Sequence, residues 1–281
     1  MKDPFNLILV GSKRRHDVNA GVLLAGLRHW FEDYVIQFSS DEPMVQASMD
    51  LKVDHTRKVC DAIVDIGKSL NLSRKDLCIA EACALLHDIG RFEQFRRYRT
   101  FSDARSEDHA ALGVKVLKET RVMDRLAPAT ADTVLWAVGY HNRASLPDGE
   151  DGPRLFFLKL LRDADKVDIW RVVTQYYQNA GNNRNHTIEL DLPDRDQVSD
   201  PVYKALMNGR LVQMADLKTL NDFKLLQIGW IYDVNFPRTF QIVRQNGYLE
   251  TIRDALPQGS VRVAKIYERA RTYLERNSSG G

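Results

Sequence analysis

The residues most able to do chemistry in this sequence are His87 and Asp88, which stand side by side after the apolar run 84–86 and shortly before Gly90. Burying an imidazole and a carboxylate is costly unless something binds them. A divalent metal ion provides that compensation, because it takes neutral imidazole and carboxylate as direct ligands and lowers the pKa of bound water. The pair therefore predicts a metal site.

Further ligand-type side chains lie on the apolar faces of separate predicted helices, as metal sites in helical bundles require. They are His55, His109, His141 and Asp165. Taken singly, such a histidine is more often a core or surface residue, but together with His87 four of the seven histidines fit one arrangement. The others, which we interpret as structural or surface groups, are His16, His29 and His186.

The elements that must position these groups are predicted to be helices. Apolar residues recur at spacings of three and four, and Ser73 and Ser106 are typical helix caps with acidic residues after them. The segment from Leu77 is apolar almost all round, so we expect it to be the central buried helix. The predicted helices span residues 18–37 (starting near Asn19), 45–70, 77–89, 106–119, 128–141, 154–178, 199–219, 220–235, 236–254 and 259–276.

Strand signals are scarce, which favours an all-α fold with at most a small ribbon. The only candidates are Asn6–Val10 and Thr187–Leu192. The chain has 281 residues, 44% of them hydrophobic, enough for a full core, and we expect a single domain over residues 1–281. The thiols of Cys60, Cys78 and Cys83 are expected to be buried and reduced.

Charge and hydropathy exclude several partners. Lysine and arginine number 40 against 38 acidic residues, so a net charge of +2 gives no argument for nucleic acid or for an acidic membrane. No run of about 18 apolar residues and no signal-peptide pattern occurs. We therefore expect a cytoplasmic protein that does not bind membranes; the oligomeric state stays open.

At this point the sequence resembles the HD superfamily of phosphohydrolases and phosphodiesterases. The resemblance depends on His55, on His87-Asp88 within Leu-Leu-His-Asp-Ile-Gly, and on Asp165 within Ala-Asp-Lys-Val-Asp, in the order H…HD…D. It implies an HD helical bundle over about residues 50–170, with additional C-terminal helices over about 195–276. Neither the Gly-Tyr-Pro motif of one phosphodiesterase subfamily nor the Glu-Asp pair of the ppGpp hydrolases is present.

The resemblance also implies a ligand set. The ligands of one ion would be His55, His87, Asp88 and Asp165. His109 and His141 would be the extra histidines of binuclear members, with Asp88 bridging two divalent ions, which could be Fe, Mn or Mg. Asp163 is an alternative to Asp165, which is favoured because it matches the motif and lies on the apolar stripe of its helix.

Cationic residues next to the metal ligands are candidates for binding phosphate, because guanidinium groups bind phosphate in a bidentate manner. Arg91, Arg96, Arg97 and Arg99 follow the His-Asp pair, and Arg143 follows His141. An equally weighted interpretation is a solvated basic loop with Phe92 and Phe95 packed beneath it. Lys166 could stabilise transition-state charge or pair with Asp163 or Asp168, so the predicted catalytic residues are Asp88, Lys166 and Arg91.

These features predict hydrolysis of a phosphomonoester or phosphodiester, with a phosphorylated small molecule such as a nucleotide as the substrate. Two alternatives remain. Diiron oxygenases that resemble this superfamily and act on a small polyol or a phosphonate share the ligand order, and imidazole and carboxylate suit iron as well as manganese. A non-catalytic signalling module is the other, although such a module has no need of all six ligands.

Overall fold

The computed structural model describes residues 13–147, 149, 151–179, 189–190 and 192–278. Every regular element in that part of the chain is helical, which confirms the all-α class. Of the two strand candidates, Asn6–Val10 lies outside the described residues, and so does most of Thr187–Leu192. Among the described helices, none is long and apolar enough to cross a membrane.

Contacts along the chain define two compact units, Met1–Ala164 and Asp165–Gly281. The expected single domain stays a prediction. The helices of the first unit are α1 (Lys13–Ile36), α2 (Pro43–Ser69), α3 (Arg74–Leu86), α4 (Ile89–Tyr98), α5 (His109–Glu119) and α6 (Pro128–Tyr140). The next helix, α7 (Pro153–Asn179), contains the division between the units.

Helix α3 is the centre of the first unit, as the apolar sequence predicts. It packs against α1, α2 and α6, and residues 80–86 are all buried. Ser73 is its N-cap, and the Ser73 hydroxyl accepts a hydrogen bond from the Asp76 amide at 3.1 Å. The helix is shifted from the predicted 77–89, because it begins directly after this cap and ends at Leu86.

The basic segment after the metal pair is a helix, so the interpretation as a loop is wrong. Helix α4 runs to Tyr98 and ends where Arg99 adopts a left-handed conformation, with φ of 53°. Phe92 is fully buried, and the Glu93 carboxylate pairs with Arg96 and Arg97. These partners stand three and four residues along the chain, a spacing that stabilises a helix.

The predicted cap of α5 is also wrong. Its N-cap is Asp108, whose carboxylate accepts hydrogen bonds from the amides of Ala110 (2.9 Å) and Ala111 (3.2 Å). Ser106 instead donates its hydroxyl to the Ser102 carbonyl at 2.8 Å. The later start makes His109 the first residue of the helix.

The second unit contains the C-terminal part of α7 followed by α8 (Asp200–Met207), α9 (Leu220–Gly229), α10 (Pro237–Gln245), α11 (Tyr248–Asp254) and α12 (Val261–Ser278). Three helices predicted from apolar spacing are shorter than expected. The chain leaves the helical path at Gly209 and at Gly247, which have φ of 64° and 61°, because glycine adopts this conformation without steric cost. The third shortened helix, predicted over residues 220–235, ends at Gly229 and is followed by the 3₁₀ turn Trp230–Asp233.

Helix α1 begins at Lys13 rather than near Asn19. Trp170 is a core residue: it is fully buried, and its indole N–H donates to the Gln227 carbonyl at 2.9 Å.

Helices α4 and α5 approach so closely at Gly90 that no side chain fits there. A Cβ at this position would collide with the His109 carbonyl and would lie 2.6 Å from the Gly113 amide nitrogen. A Cβ at Gly113, on the facing helix, would make only ordinary contacts of 3.4 Å. The close approach holds the first residue of α5 beside the His-Asp pair.

We therefore expect Gly90→Ala to lower the free energy of unfolding by about 1–3 kcal/mol, the usual cost of overpacking. Gly113→Ala is the matched control from the same interface, and it should leave stability unchanged or slightly raised. Urea unfolding of both variants measures the difference. Equal stability of the two variants would show that the helices do not meet as described.

Candidate metal centre

Four buried imidazoles converge in the first unit, and each comes from a different place in the fold. His55 lies on α2, His87 follows the end of α3, His109 begins α5 and His141 follows the end of α6. With Asp88, which connects α3 to α4, the structure brings five of the predicted ligands together, each at most 7% exposed.

The imidazoles form two pairs, one on each side of the Asp88 carboxylate. His55 Nε2 lies 3.3 Å from His87 Nε2, and His109 Nε2 lies 3.0 Å from His141 Nε2. Oxygen Oδ2 of Asp88 lies 3.6 and 3.7 Å from the first pair. Oxygen Oδ1 lies 3.4 and 3.8 Å from the second pair. One carboxylate oxygen therefore faces each pair.

The hydrogen bonds of the other ring nitrogens fix the tautomers. His87 Nδ1 lies 2.7 Å from the Ala84 carbonyl, and His141 Nδ1 lies 2.7 Å from the Val138 carbonyl. A carbonyl oxygen only accepts hydrogen bonds, so both Nδ1 atoms carry the proton and donate it. In the neutral ring, Nε2 then carries a lone pair that points into the site.

His109 is held in the same way by a carboxylate. Its Nδ1 lies 2.7 Å from Asp103 Oδ2, a carboxylate–histidine arrangement typical of metal ligands. Burial and the nearby Arg91 lower the pKa of His109 to about 4, against the opposing effect of Asp103, so the ring is neutral at neutral pH. Two lone pairs that face each other at 3.0 Å repel unless a cation lies between them.

This donor set fits divalent metal ions. The ligand atoms of His55, His87 and Asp88 lie within 4.8 Å of one another, and so do those of Asp88, His109 and His141. Imidazole nitrogen and carboxylate oxygen suit zinc, iron and manganese.

Lys52 is the first residue at this site that the sequence did not reveal. Its ammonium group lies 2.7 Å from Asp88 Oδ2 and 5.3 Å from the centre of the Phe101 ring. Burial alone would raise the pKa of Asp88, but Lys52, followed by His87, His141 and Arg91, holds it well below the usual value. The only available signal was its position one helical turn before His55.

Asp103 is the second missed residue, and it joins His109 to Arg91. Nη1 of Arg91 donates to the Asp103 carboxylate at 2.8 Å and to the Phe101 carbonyl at 2.6 Å. Burial opposes ionisation of Asp103, but His109 and Arg91 hold its pKa below the usual value. Asp103 lies in a 3₁₀ turn without apolar periodicity, so no sequence pattern marked it.

Arg91 also presents a free donor to the site. Its Nε lies 3.6 Å from Asp88 Oδ1, is buried and has no hydrogen-bond partner among the described residues. A buried donor without a partner is costly and points to a bound acceptor.

The other predicted phosphate-binding arginines all have carboxylate partners. Arg96 and Arg97 pair with Glu93, and Arg97 also pairs with Glu107 at 3.2 Å. The remaining two pairs are Arg99 with Glu42 at 3.7 Å and Arg143 with Asp108 at 3.5 Å. A role of these four arginines in substrate binding stays a prediction.

The final predicted ligand, Asp165, is the first residue of the second unit and is half-buried. Three residues earlier on α7, the buried Arg162 donates to the His141 carbonyl at 3.0 Å. The next residue, Lys166, pairs with Asp233 at 2.6 Å, and its predicted pairing with Asp163 or Asp168 stays a prediction. Both roles, a metal ligand and a catalytic cation, stay predictions.

Comparison with known proteins agrees with this geometry. Residues 53–170 match the family model of the HD domain, so this segment is an HD domain and the resemblance seen in the sequence is confirmed. HD domains bind divalent metals, and most are metal-dependent phosphohydrolases. No match was found among curated proteins or among solved structures.

Elemental analysis of the purified protein tests the two-pair arrangement. We expect about two equivalents of divalent metal in the natural chain, as in binuclear sites. His109→Ala removes one ligand pair and should leave about one equivalent, whereas Asp88→Ala should leave almost none, because both pairs share Asp88. His29→Ala, at an exposed histidine that pairs with Asp33, should bind as the natural chain does. A metal content that is the same in all variants would exclude the site.

Proposed function

We propose that the chain is a phosphohydrolase that cleaves a phosphomonoester or phosphodiester, with a nucleotide as the substrate, through water activated at a binuclear metal centre. The observation that carries the proposal is the pairing of imidazole Nε2 atoms on opposite sides of the Asp88 carboxylate. One oxygen for each pair suits a carboxylate shared by two ions. The HD domain adds the expectation that the reaction is metal-dependent hydrolysis.

We include Asp165 as the fourth ligand of the ion held by His55, His87 and Asp88. Support comes from helix α7, on which Arg162 contacts the carbonyl of His141. Asp165 follows Arg162 by three residues, and residues at this spacing lie on the same face of a helix. Asp163, the alternative, points in a different direction because it is two residues from Asp165.

Arg91 and Lys52 would have separate roles in the reaction. Bound divalent ions supply electrophilic polarisation of the phosphoryl group and lower the pKa of a bound water. Arg91, with Nη1 anchored on Asp103 and Phe101, would donate its free Nε to a phosphate oxygen. Lys52 would balance the charge of Asp88 and of the incoming phosphate from the other side of the site.

Release of p-nitrophenol from p-nitrophenyl phosphate (a monoester) and from bis-p-nitrophenyl phosphate (a diester) with Mn²⁺ tests the reaction. Hydrolysis should disappear in His87→Ala and Asp88→Ala. Oxygen uptake by the iron-loaded protein, without any hydrolysis, would instead identify an oxygenase. A protein that binds metal but shows neither activity, including on a panel of nucleotides, would be the non-catalytic module.

The role of Arg91 is tested by Arg91→Gln, which we expect to lower kcat/KM by about 10²-fold, the usual effect of removing one donor that stabilises transition-state charge. Arg91→Lys keeps the charge but loses the planar Nε donor, so it should restore little of this activity. Arg121→Gln is the matched control, since Arg121 is exposed and pairs with Asp124 rather than with a residue of the site. Full activity of Arg91→Gln with normal metal content would remove Arg91 from the mechanism.

A further inference from the structure

We propose that the second unit carries a separate binding site for a nucleoside polyphosphate, in a cleft on the surface of α12. The cleft has a volume of about 670 Å³, within the range of small-molecule sites. Its floor is one face of α12, and its walls are the end of α8 and the turn that contains Tyr232. This site is additional to the proposed function and does not depend on it.

The cleft has an excess of positive charge that the protein itself does not neutralise. Lys265, Arg269 and Arg276 line it, and none of them forms an ion pair with a carboxylate in the described part of the chain. The lining includes one carboxylate, Glu268, which pairs with Arg271 at 3.0 Å. Clustered like charges favour binding of an anion.

The spacing of the cations selects the kind of anion. Lys265, Arg269 and Arg276 are separated by four and seven residues, which places all three on one side of the helix. At 1.5 Å per residue, the outer two Cα atoms lie about 16 Å apart along the helix. A single phosphate group cannot contact all three side chains, whereas a chain of phosphates can.

Aromatic groups in the same cleft favour a nucleotide over inorganic polyphosphate. The half-buried rings of Tyr232 and Tyr273 meet edge to face, with centroids 5.1 Å apart, and aromatic faces of this kind stack on nucleobases. Burial raises the pKa of Tyr232, and Arg269 beside its hydroxyl opposes that rise, so this ring and a cation of the cleft lie next to each other. A ligand that carries a base, a sugar and phosphates would satisfy all of these groups.

The cleft is equipped for binding rather than for hydrolysis, because its lining contains no histidine and no aspartate. The cleft is nevertheless connected, through the turn that forms its wall, to Lys166, a predicted catalytic residue. Tyr232 belongs to the turn Trp230–Asp233, and Asp233 holds Lys166 at 2.6 Å. A nucleotide that contacts Tyr232 would therefore touch the turn that positions Lys166, as expected of a regulatory ligand.

Isothermal titration calorimetry with ATP tests the site, in EDTA so that the metal centre is empty. We expect one saturable site in the full chain, with AMP bound at least tenfold more weakly because it has one phosphate. His87→Ala, which disrupts the metal centre, should bind ATP with unchanged affinity. Inorganic tripolyphosphate should bind more weakly than ATP, since it cannot use the aromatic rings.

The double variant Arg269→Gln/Arg276→Gln should weaken ATP binding at least tenfold, and Arg269→Lys/Arg276→Lys should retain most of it. Lys204→Gln/Lys218→Gln is the matched control, because it removes the same net charge at two exposed positions of this unit outside the cleft. The two arginine positions and the two lysine positions of the control are all exposed, and urea unfolding verifies that the variants fold. Absence of saturable binding, equal loss in the control, or unchanged affinity in Arg269→Gln/Arg276→Gln would overturn the proposal.

Discussion

The negative charge of Asp88, buried to 3% exposure between two pairs of imidazoles, is the constraint that the first unit has to satisfy. A desolvated carboxylate costs several kcal/mol unless it is paired with positive charge. The His109 ring does not supply that charge, because its pKa is lowered to about 4 and the ring is neutral at neutral pH. Lys52 and Arg91 are the cations that face the carboxylate, and together they balance Asp88 but not the repulsion between lone pairs. A divalent cation bound between the rings of a pair would remove that repulsion.

The backbone itself orients the ligands. His87 and His141 are each the C-cap of a helix, and each donates Nδ1–H to the carbonyl three residues earlier. That carbonyl lacks a partner at a helix end, so one hydrogen bond caps the helix and fixes the ligand ring. His109 instead lies at the N-terminal end of a helix, because it is the first residue of α5. The positive pole there disfavours protonation of an imidazole, which agrees with the lowered pKa of His109.

The parts of this arrangement that could be predicted from the sequence are those that depend on residues close together along the chain. Apolar periodicity gave the helices, and ligand type on an apolar face gave four histidines and Asp88. Lys52 and Asp103 could not be found in this way, since their importance depends on which elements meet in space. The helix after Asp88 was predictable in principle: Glu93 stands three and four residues before its two arginine partners, a helical spacing that the density of basic residues concealed. Breaks at Gly209 and Gly247 were hidden because apolar spacing continues across them.

The number of basic residues in a segment is therefore a poor predictor of phosphate binding. A better predictor is whether carboxylates of the protein already neutralise those residues. The segment 91–99 has four arginines, yet carboxylates form ion pairs with all four guanidinium groups, Arg91 among them through Nη1 and Asp103. What distinguishes Arg91 is a buried Nε without a partner beside the metal ligands. The α12 cleft has fewer cations, but they face open space without carboxylate partners among the described residues. An anion binds best to a cationic donor that no carboxylate already neutralises. The Arg91 Nε and the cations of the α12 cleft meet this condition, whereas the more basic surface of α4 does not.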